Sequence, residues 1–520
     1  MASNRGKNQV NLDALIPRAD LFEGAALDIA DIHSLKIIDL EPGVIYDLLR
    51  KPDFQRETCN WSPQQVAQLI GTFSASEIIP AIILWQNGNK IFVIDGAHRL
   101  SALVAWACDD YGAGPLSQRF FQGKIPSHQA NIDEQTRNLV NEMVGPWAEH
   151  KKTVLTMREI QVQWIKNSNS SQAAEAFIRI NKGGTEIDPL ETRILRAGRS
   201  ALAISTRVIS RGGTGHEYWR HFSDEKARTN TPKIGAQIYK LLYTPTLEMP
   251  IKSADVPLAG YGYGSSVLKF AFDLVSNAND LPVQDSTRKD VIEKFAQDET
   301  GLETLKFLQK TRRAMQLVLS NEPLSLGLHP ALYFYTGGGT FQPTALQNMI
   351  AWALQLEKRG KLLTFQRVRG TFESLILDHP AIVKPPIHTF GSGSRTRTKM
   401  IAVLDRTLEL LVKNPDAGAA WKKIAKEFPH LLKDDKEEKE KSEAGGAGKP
   451  FGRGAKSAAT LSELANVARC GLCGGLLHMN GKVSDHKQEK SKGGSSSGKN
   501  ARWVHPACNS NREKMNEHAA

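Results

Sequence analysis

The sequence predicts a multidomain α+β protein, and three observations carry that reading. The chain has 520 residues, more than one ordinary core organises, so two to four domains are expected. Strand and helix signals mix over residues 1–200, then give way to helical patterns over 201–432. From 433 the composition shifts to Lys, Glu, Gly and Ala, and a short Cys- and His-bearing end follows. The expected organisation is an α+β domain over 1–200, a helical domain over 201–432, a flexible linker over 433–461 and a small ββα unit over 462–520.

The bulk numbers bound the partners. Hydrophobic content of 40% and charge of 23% are those of a soluble globular protein. A net charge of +12 fits a polyanionic partner and also fits a merely basic protein. No stretch approaches the roughly 20 apolar residues of a spanning helix, and the N-terminus has no apolar signal core, so no membrane association is expected. Three of five cysteines sit in the terminal cluster, while Cys59 and Cys108 stand alone. That is a metal pattern in a reducing compartment, and the cytoplasm is the expected location.

In order, residues 1–45 read as polar and irregular, with short apolar patches at Ile37, Ile38 and Leu40. Ser62, Pro63 and Gln65 form a capping box that opens a helix running to about Phe73. Two apolar runs, Ala81–Gln86 and Lys90–Ile94, flank Asn87-Gly88, a strong hairpin signal. Asp95-Gly96 then leads into a helix over Ala97–Cys108 with His98 and Arg99 in its first turn. A cation there opposes the helix dipole, so Arg99 serves either an anionic ligand or a nearby acid, with Asp95 as the cap. TVLTMREIQVQWIKN reads as helix. So does SQAAEAFIRINK, which ends at Asn181 and breaks at Gly183-Gly184, before a second helix capped by Asp188, Pro189 and Glu191. Asn181 and Lys182 lie on that turn, placed for a ligand or for an ordinary helix–helix connection. The basic stretch 384–400 reads as a loop whose Arg395, Arg397 and Lys399 either meet phosphates or are simply solvated.

The terminal segment carries the chemistry. Cys470 with Cys473, and His505 with Cys508, have the spacing of two knuckles closing a tetrahedral zinc site, with His478 as a rival ligand. Between and after them lie Asp485, His486 and Asn509, donors suited to Mg²⁺ and proton transfer. LLHMNGKVSDH reads as a hairpin turning at Asn480-Gly481, RWV as a further strand, and the chain from Cys508 as a helix. So small a unit needs a structural metal.

The order CxxC, Asp485-His486, Asn500, HxxC, Asn509 resembles the HNH endonuclease family in its zinc-stapled form. The resemblance implies phosphodiester hydrolysis, with His486 as general base. Asp485 and Asn509 would hold Mg²⁺ or Mn²⁺, and Asn500 would fix the loop carrying the base. Cys470, Cys473, His505 and Cys508 would hold zinc; His505 stands where most members have Cys, and imidazole is a sound zinc ligand.

Upstream, PDFQR at 52–56, DGAHRL at 95–100 and FIRINKGG at 177–184 occur in the order of a second family. They resemble the ParB/sulfiredoxin-like domain with a DGQHR signature, found in GmrSD-type and phosphorothioate-sensing defence nucleases. The resemblance implies a nucleotide or phosphate pocket built from Gln55, Arg56, Asp95, Gly96, His98, Arg99 and Asn181, with a nucleoside triphosphate as ligand. Ala97 replaces the signature's Gln; if that Gln positions a water or a base, hydrolysis is lost while binding survives. Ala97 also excludes the cysteine chemistry of sulfiredoxin. Together the resemblances imply a metal-dependent DNA endonuclease of a prokaryotic restriction or anti-phage system, controlled by a nucleotide-binding sensor domain, acting as an oligomer or with defence partners. The rivals are a ParB-like DNA-binding regulator and an NTPase switch whose zinc knuckle only binds nucleic acid.

Overall fold

A computed structural model describes residues 9–19, 32–52, 58–166, 170–182, 193–194, 197–262, 265–281, 295–384, 394–432 and 450–516. The chain is α+β and divides into two compact units. The first comprises residues 1–235, 263–272 and 290–305, and the second 236–262, 273–289 and 306–520. Residues 462–520 fall within the second of these units.

The first unit is built on a mixed six-stranded sheet in the order β1-β3-β5-β4-β6-β2. Its strands are β1 (Arg18–Ala19), β2 (Ser34–Lys36), β3 (Leu49–Pro52), β4 (Ile82–Asn87), β5 (Lys90–Asp95) and β6 (Glu159–Ile165). The β4–β5 hairpin forms as the sequence predicts, with Asn87 paired to Lys90, so Gly88 and Asn89 make the turn. The apolar run IFVI of β5 serves two cores. Ile91 and Val93 pack with Ile82 and Leu84 against the helices Pro63–Ser74 and Ala97–Cys108. Phe92 and Ile94 pack with Trp85 against Ala173 and Phe177 of the helix Ser170–Lys182. Covering both sheet faces explains a strand with no polar alternation.

Two readings of this unit are corrected. EIQVQWI is strand β6, not helix: it alternates, with Ile160 and Val162 buried between exposed Glu159, Gln161 and Gln163, and it pairs with both β4 and β2. Two-residue periodicity outweighs the helical spacing that its flanks add. Residues 10–16 are not a polar extension, because Val10, Leu12, Leu15 and Ile16 are fully buried. The capping box of the helix Pro63–Ser74 is present in full. Gln55 and Arg56 lie outside the described residues, as do Gly183, Gly184, Asp188, Pro189 and Glu191.

The second unit is mainly helical, with helices at Pro343–Lys358, Leu362–Asp378 and Ser394–Lys413. Arg397 and Lys399 sit on the last of these, not on a loop, and burial lowers the Arg397 pKa. The terminal segment adds a helix, Arg453–Leu461, and the antiparallel pair β7 (Val483–His486) and β8 (Ala501–Val504). Asn480-Gly481 does not turn this hairpin; it lies in a 3-10 turn, and residues 487–500 connect the strands.

Candidate functional site

The terminal segment is assembled around four buried side chains. Cys470, Cys473, His505 and Cys508 bring their ligand atoms within 4.8 Å of one another and could hold a metal ion. His505 Nδ1 stands 3.3 Å from Cys473 Sγ and 3.9 Å from Cys508 Sγ. Its Nε2 lies 2.9 Å from the Leu476 carbonyl, an outer partner that turns Nδ1 toward the sulfurs. The N–H groups of Leu472 and His505 donate to Cys470 Sγ. Hydrogen bonds from Cys473 and Cys508 hold the Cys470 thiol far below its usual range. Burial pushes Cys473 up to about 12, and the bond to Cys470 raises Cys508. One thiolate among neutral thiols is an arrangement that a cation completes. Donor types, burial and outer partner all fit a structural zinc site. His478 is not a ligand: its Nε2 meets the Val256 carbonyl at 3.0 Å, and its Nδ1 accepts from Asn480 N–H.

This cluster is docked within its unit. Gly370 N–H donates to the Cys473 carbonyl at 3.0 Å, an approach that leaves no room for a Cβ on Gly370. Glu373 accepts from Leu476 N–H, from Tyr333 Oη at 3.0 Å and from Arg369 Nε at 2.6 Å. Arg369 also donates to the carbonyls of Leu326 and Gly327. Burial opposes the Arg369 charge, but the Glu373 carboxylate keeps it firmly protonated. Ala507 N–H donates to Ser325 O, and Ser457 and Thr460 of the helix Arg453–Leu461 bond to Ile251. The sequence reading sets this segment on a mobile tether. Residues 433–449 lie outside the described residues, and from the helix Arg453–Leu461 onward the segment is fastened to its unit.

The predicted catalytic residues are brought together only in part. Asp485 and His486 end β7, as the sequence places them. Asn500 Nδ2 donates to the carbonyls of Gln488 and Ser495, and its Oδ1 accepts from Gln488 N–H at 2.7 Å. It therefore fastens the loop that follows His486. His486 is half-buried and makes no side-chain hydrogen bond among the described residues. Asn509 is exposed, and its backbone N–H bonds to His505 O.

Asp485 is committed elsewhere. Its Oδ2 accepts from Arg502 Nε at 2.8 Å and its Oδ1 from Arg512 Nη1 at 2.9 Å, with the side chain 5% exposed. Arg512 also donates to Lys487 O. While both arginines hold it, this carboxylate is not free to ligate Mg²⁺ or Mn²⁺ with Asn509, so the donors do not fit that ion in this arrangement. Sequence reasoning missed both arginines. Arg502 was within reach, since it faces Asp485 across the hairpin and opposite charges favour such pairs.

In the first unit, β5 delivers Asp95 and Gly96 to the start of the helix Ala97–Cys108. Gly96 has φ +87°, and a Cβ there would lie 2.4 Å from Ile82 Cδ1. Asp95 does not cap the helix; it accepts from Arg99 Nη2 at 2.7 Å, and Arg99 Nη1 donates to Pro80 O. His98 is buried beside Trp61, ring centroids 5.6 Å apart. Asn181 lies in the helix Ser170–Lys182, with its side chain outside the described residues. The sequence reading missed a further polar centre of this unit. Asp13, buried, accepts from Arg18 at 2.6 Å, Lys51 at 2.7 Å and Arg211 at 3.2 Å. Lys51 directly precedes the PDFQR motif, which was its available signal.

Comparison with known proteins bears on this part of the chain alone. Residues 36–197 match the family model described as the GmrSD restriction endonuclease, N-terminal domain. The match supports a GmrSD-like restriction endonuclease, and it stops well short of the metal cluster. No curated protein and no solved structure matched the chain.

Proposed function

We propose that this protein is a DNA endonuclease of a restriction or anti-phage system, with an HNH-type cutter at its C-terminus pinned by zinc. The single observation that carries this is the terminal hairpin. A strand ends in Asp485-His486, Asn500 ties down the loop that follows, and the Cys470–Cys473–His505–Cys508 cluster fixes both ends of the segment. His486 is the group to take the proton from an attacking water, because its ring keeps no other hydrogen bond among the described residues. Arg502 and Arg512 instead hold the neighbouring Asp485, which lies on the other face of the hairpin. The first unit is the sensor in this reading, with the turn at Asp95–Arg99 as its nucleotide-facing element.

The test is plasmid nicking by the purified full chain, with Mg²⁺ and Mn²⁺ and with each nucleoside triphosphate in turn. His486→Ala is expected to abolish cleavage while zinc content and melting temperature stay at wild-type values. Nicking by this variant at the wild-type rate would overturn the assignment. The arginine hold on Asp485 favours one alternative, a segment that binds DNA without cutting it. Wild-type protein with full zinc, tight DNA binding and no nicking under any condition would establish that alternative.

A further inference from the structure

The β7–β8 hairpin has two faces, and catalysis as proposed draws on one residue of the open one. Cross-strand partners share a face, so Asp485 lies with Arg502, Val483 and Val504, and His486 lies with Ala501, Ser484 and Trp503. Burial agrees: Asp485 and Val504 are buried, while Ser484, Ala501 and Trp503 are exposed. Trp503 keeps 52% of its surface in water. A segment too small to fold on its own core has left its one indole outside. Lys482 Nζ stands 5.0 Å from the centre of that ring. Over residues 467–516 there are nine Lys and Arg against three Asp and Glu. Lys490 and Lys499, in the loop between the strands, are exposed and form no ion pair among the described residues. An indole two strand positions from His486, about 7 Å along the strand, thus carries a lysine on its ring in a segment with an excess of cations.

We propose that Trp503 is a stacking platform for an unstacked base of single-stranded DNA, with Lys482 and the loop lysines contacting the backbone on either side. An exposed ring offers a face on which any base can stack, and flanking cations track the phosphates. A closed duplex keeps its base faces covered, so the platform selects single strands, displaced strands or opened duplex. The stacked base would place its neighbouring phosphodiester at His486; that last step rests on the endonuclease reading, whereas the binding step does not.

The experiment measures binding by fluorescence anisotropy, in the full chain carrying His486→Ala to block turnover. The probes are a labelled DNA oligonucleotide, its duplex, and an RNA of the same sequence, at one fixed salt concentration. Trp503→Ala is expected to weaken single-strand binding by about 5- to 150-fold, the loss of one base–aromatic stack. Trp503→Phe should retain most of the affinity, and Lys482→Ala should weaken binding and flatten its salt dependence. Zinc content is measured for every variant, and only zinc-replete protein is compared. Wild-type single-strand affinity in Trp503→Ala overturns the platform, as does an equal loss for closed duplex or a preference for RNA. If Trp503→Ala loses binding while wild-type protein proves unable to nick, the platform stands and the endonuclease reading falls.

Discussion

At the scale of single residues, the decisive group is Asp485, because its position and its partners argue in opposite directions. A carboxylate beside a half-buried His at a strand end suits a catalytic ion, yet both its oxygens accept from arginine. Truncating it strands two guanidiniums. A fully buried pair broken in this way costs about 3–5 kcal/mol; Arg502 and Arg512 keep 19% and 15% exposure, so about 2–3 kcal/mol is the better expectation here. Asp485→Ala should therefore lower stability as well as any cleavage, in a chemical unfolding series read alongside nicking. Arg512→Ala releases one oxygen and should tighten Mn²⁺ binding, read by EPR; unchanged affinity would remove Asp485 from the list of metal ligands. His329 gives a separate residue-scale expectation. It is fully buried, neither ring nitrogen has a hydrogen-bond partner among the described residues, and burial with His478 nearby holds its pKa well below the usual value. The folded state keeps it neutral, whereas the unfolded chain protonates it below about pH 6.5. Stability is thus unaffected at higher pH and falls as pH drops through that value, by up to ~1.4 kcal/mol per pH unit for one proton. Comparing His329→Leu with wild type between about pH 7.5 and pH 5.5 should show a shallower slope in the variant; parallel slopes would mean His329 contributes nothing.

At the scale of elements, the turn from β5 into the helix Ala97–Cys108 is the clearest case of sequence dictating geometry. Gly96 combines a left-handed backbone with a close approach to Ile82, and each requirement alone favours glycine. Gly96→Ala should cost on the order of 2–4 kcal/mol, from left-handed strain and overpacking together. Urea unfolding of the full chain measures it, and a loss under 1 kcal/mol would mean the turn relaxes. This element was legible because hairpin, glycine and helix signals are local. The Cys and His spacing was equally legible, since a metal site imposes its own spacing on the chain. Strand β6 was misread because neighbouring apolar residues blurred its alternation. The partners of Asp485 and Asp13 were hidden for another reason: Arg512 and Arg211 reach them from other elements, and no local pattern encodes such a contact. The docking of the metal segment was invisible for the same reason, since Glu373 and Arg369 sit on one face of an ordinary amphipathic helix.

At the scale of the molecule, the metal cluster and the helical body of the second unit are joined by hydrogen bonds, and this predicts that the two open together. The cluster's small core takes in Leu363 of the helix Leu362–Asp378 beside its own Leu477, Val504 and Met515. The same helix accepts the cluster's backbone through Glu373 and donates to it from Gly370. Structural zinc in small domains contributes roughly 10–16 kcal/mol of apparent binding energy, more than a short segment can replace by burial. Chelating a zinc ion held by these four residues should therefore release both partners of that contact. The Arg369–Glu373 pair, buried with Tyr333 against the cluster, would be left facing a disordered neighbour, and helix amides that the segment covers would open to water. Hydrogen exchange of the full chain before and after chelation reads this directly. Protection should fall across residues 467–516, and also at 323–328 and 366–376, where Ser325, Leu326, Gly327 and Gly370 meet the segment. Restoring zinc should return both regions together. Faster exchange confined to 467–516, with the helix unchanged, would mean that the segment is a separable module after all, as the sequence alone suggests.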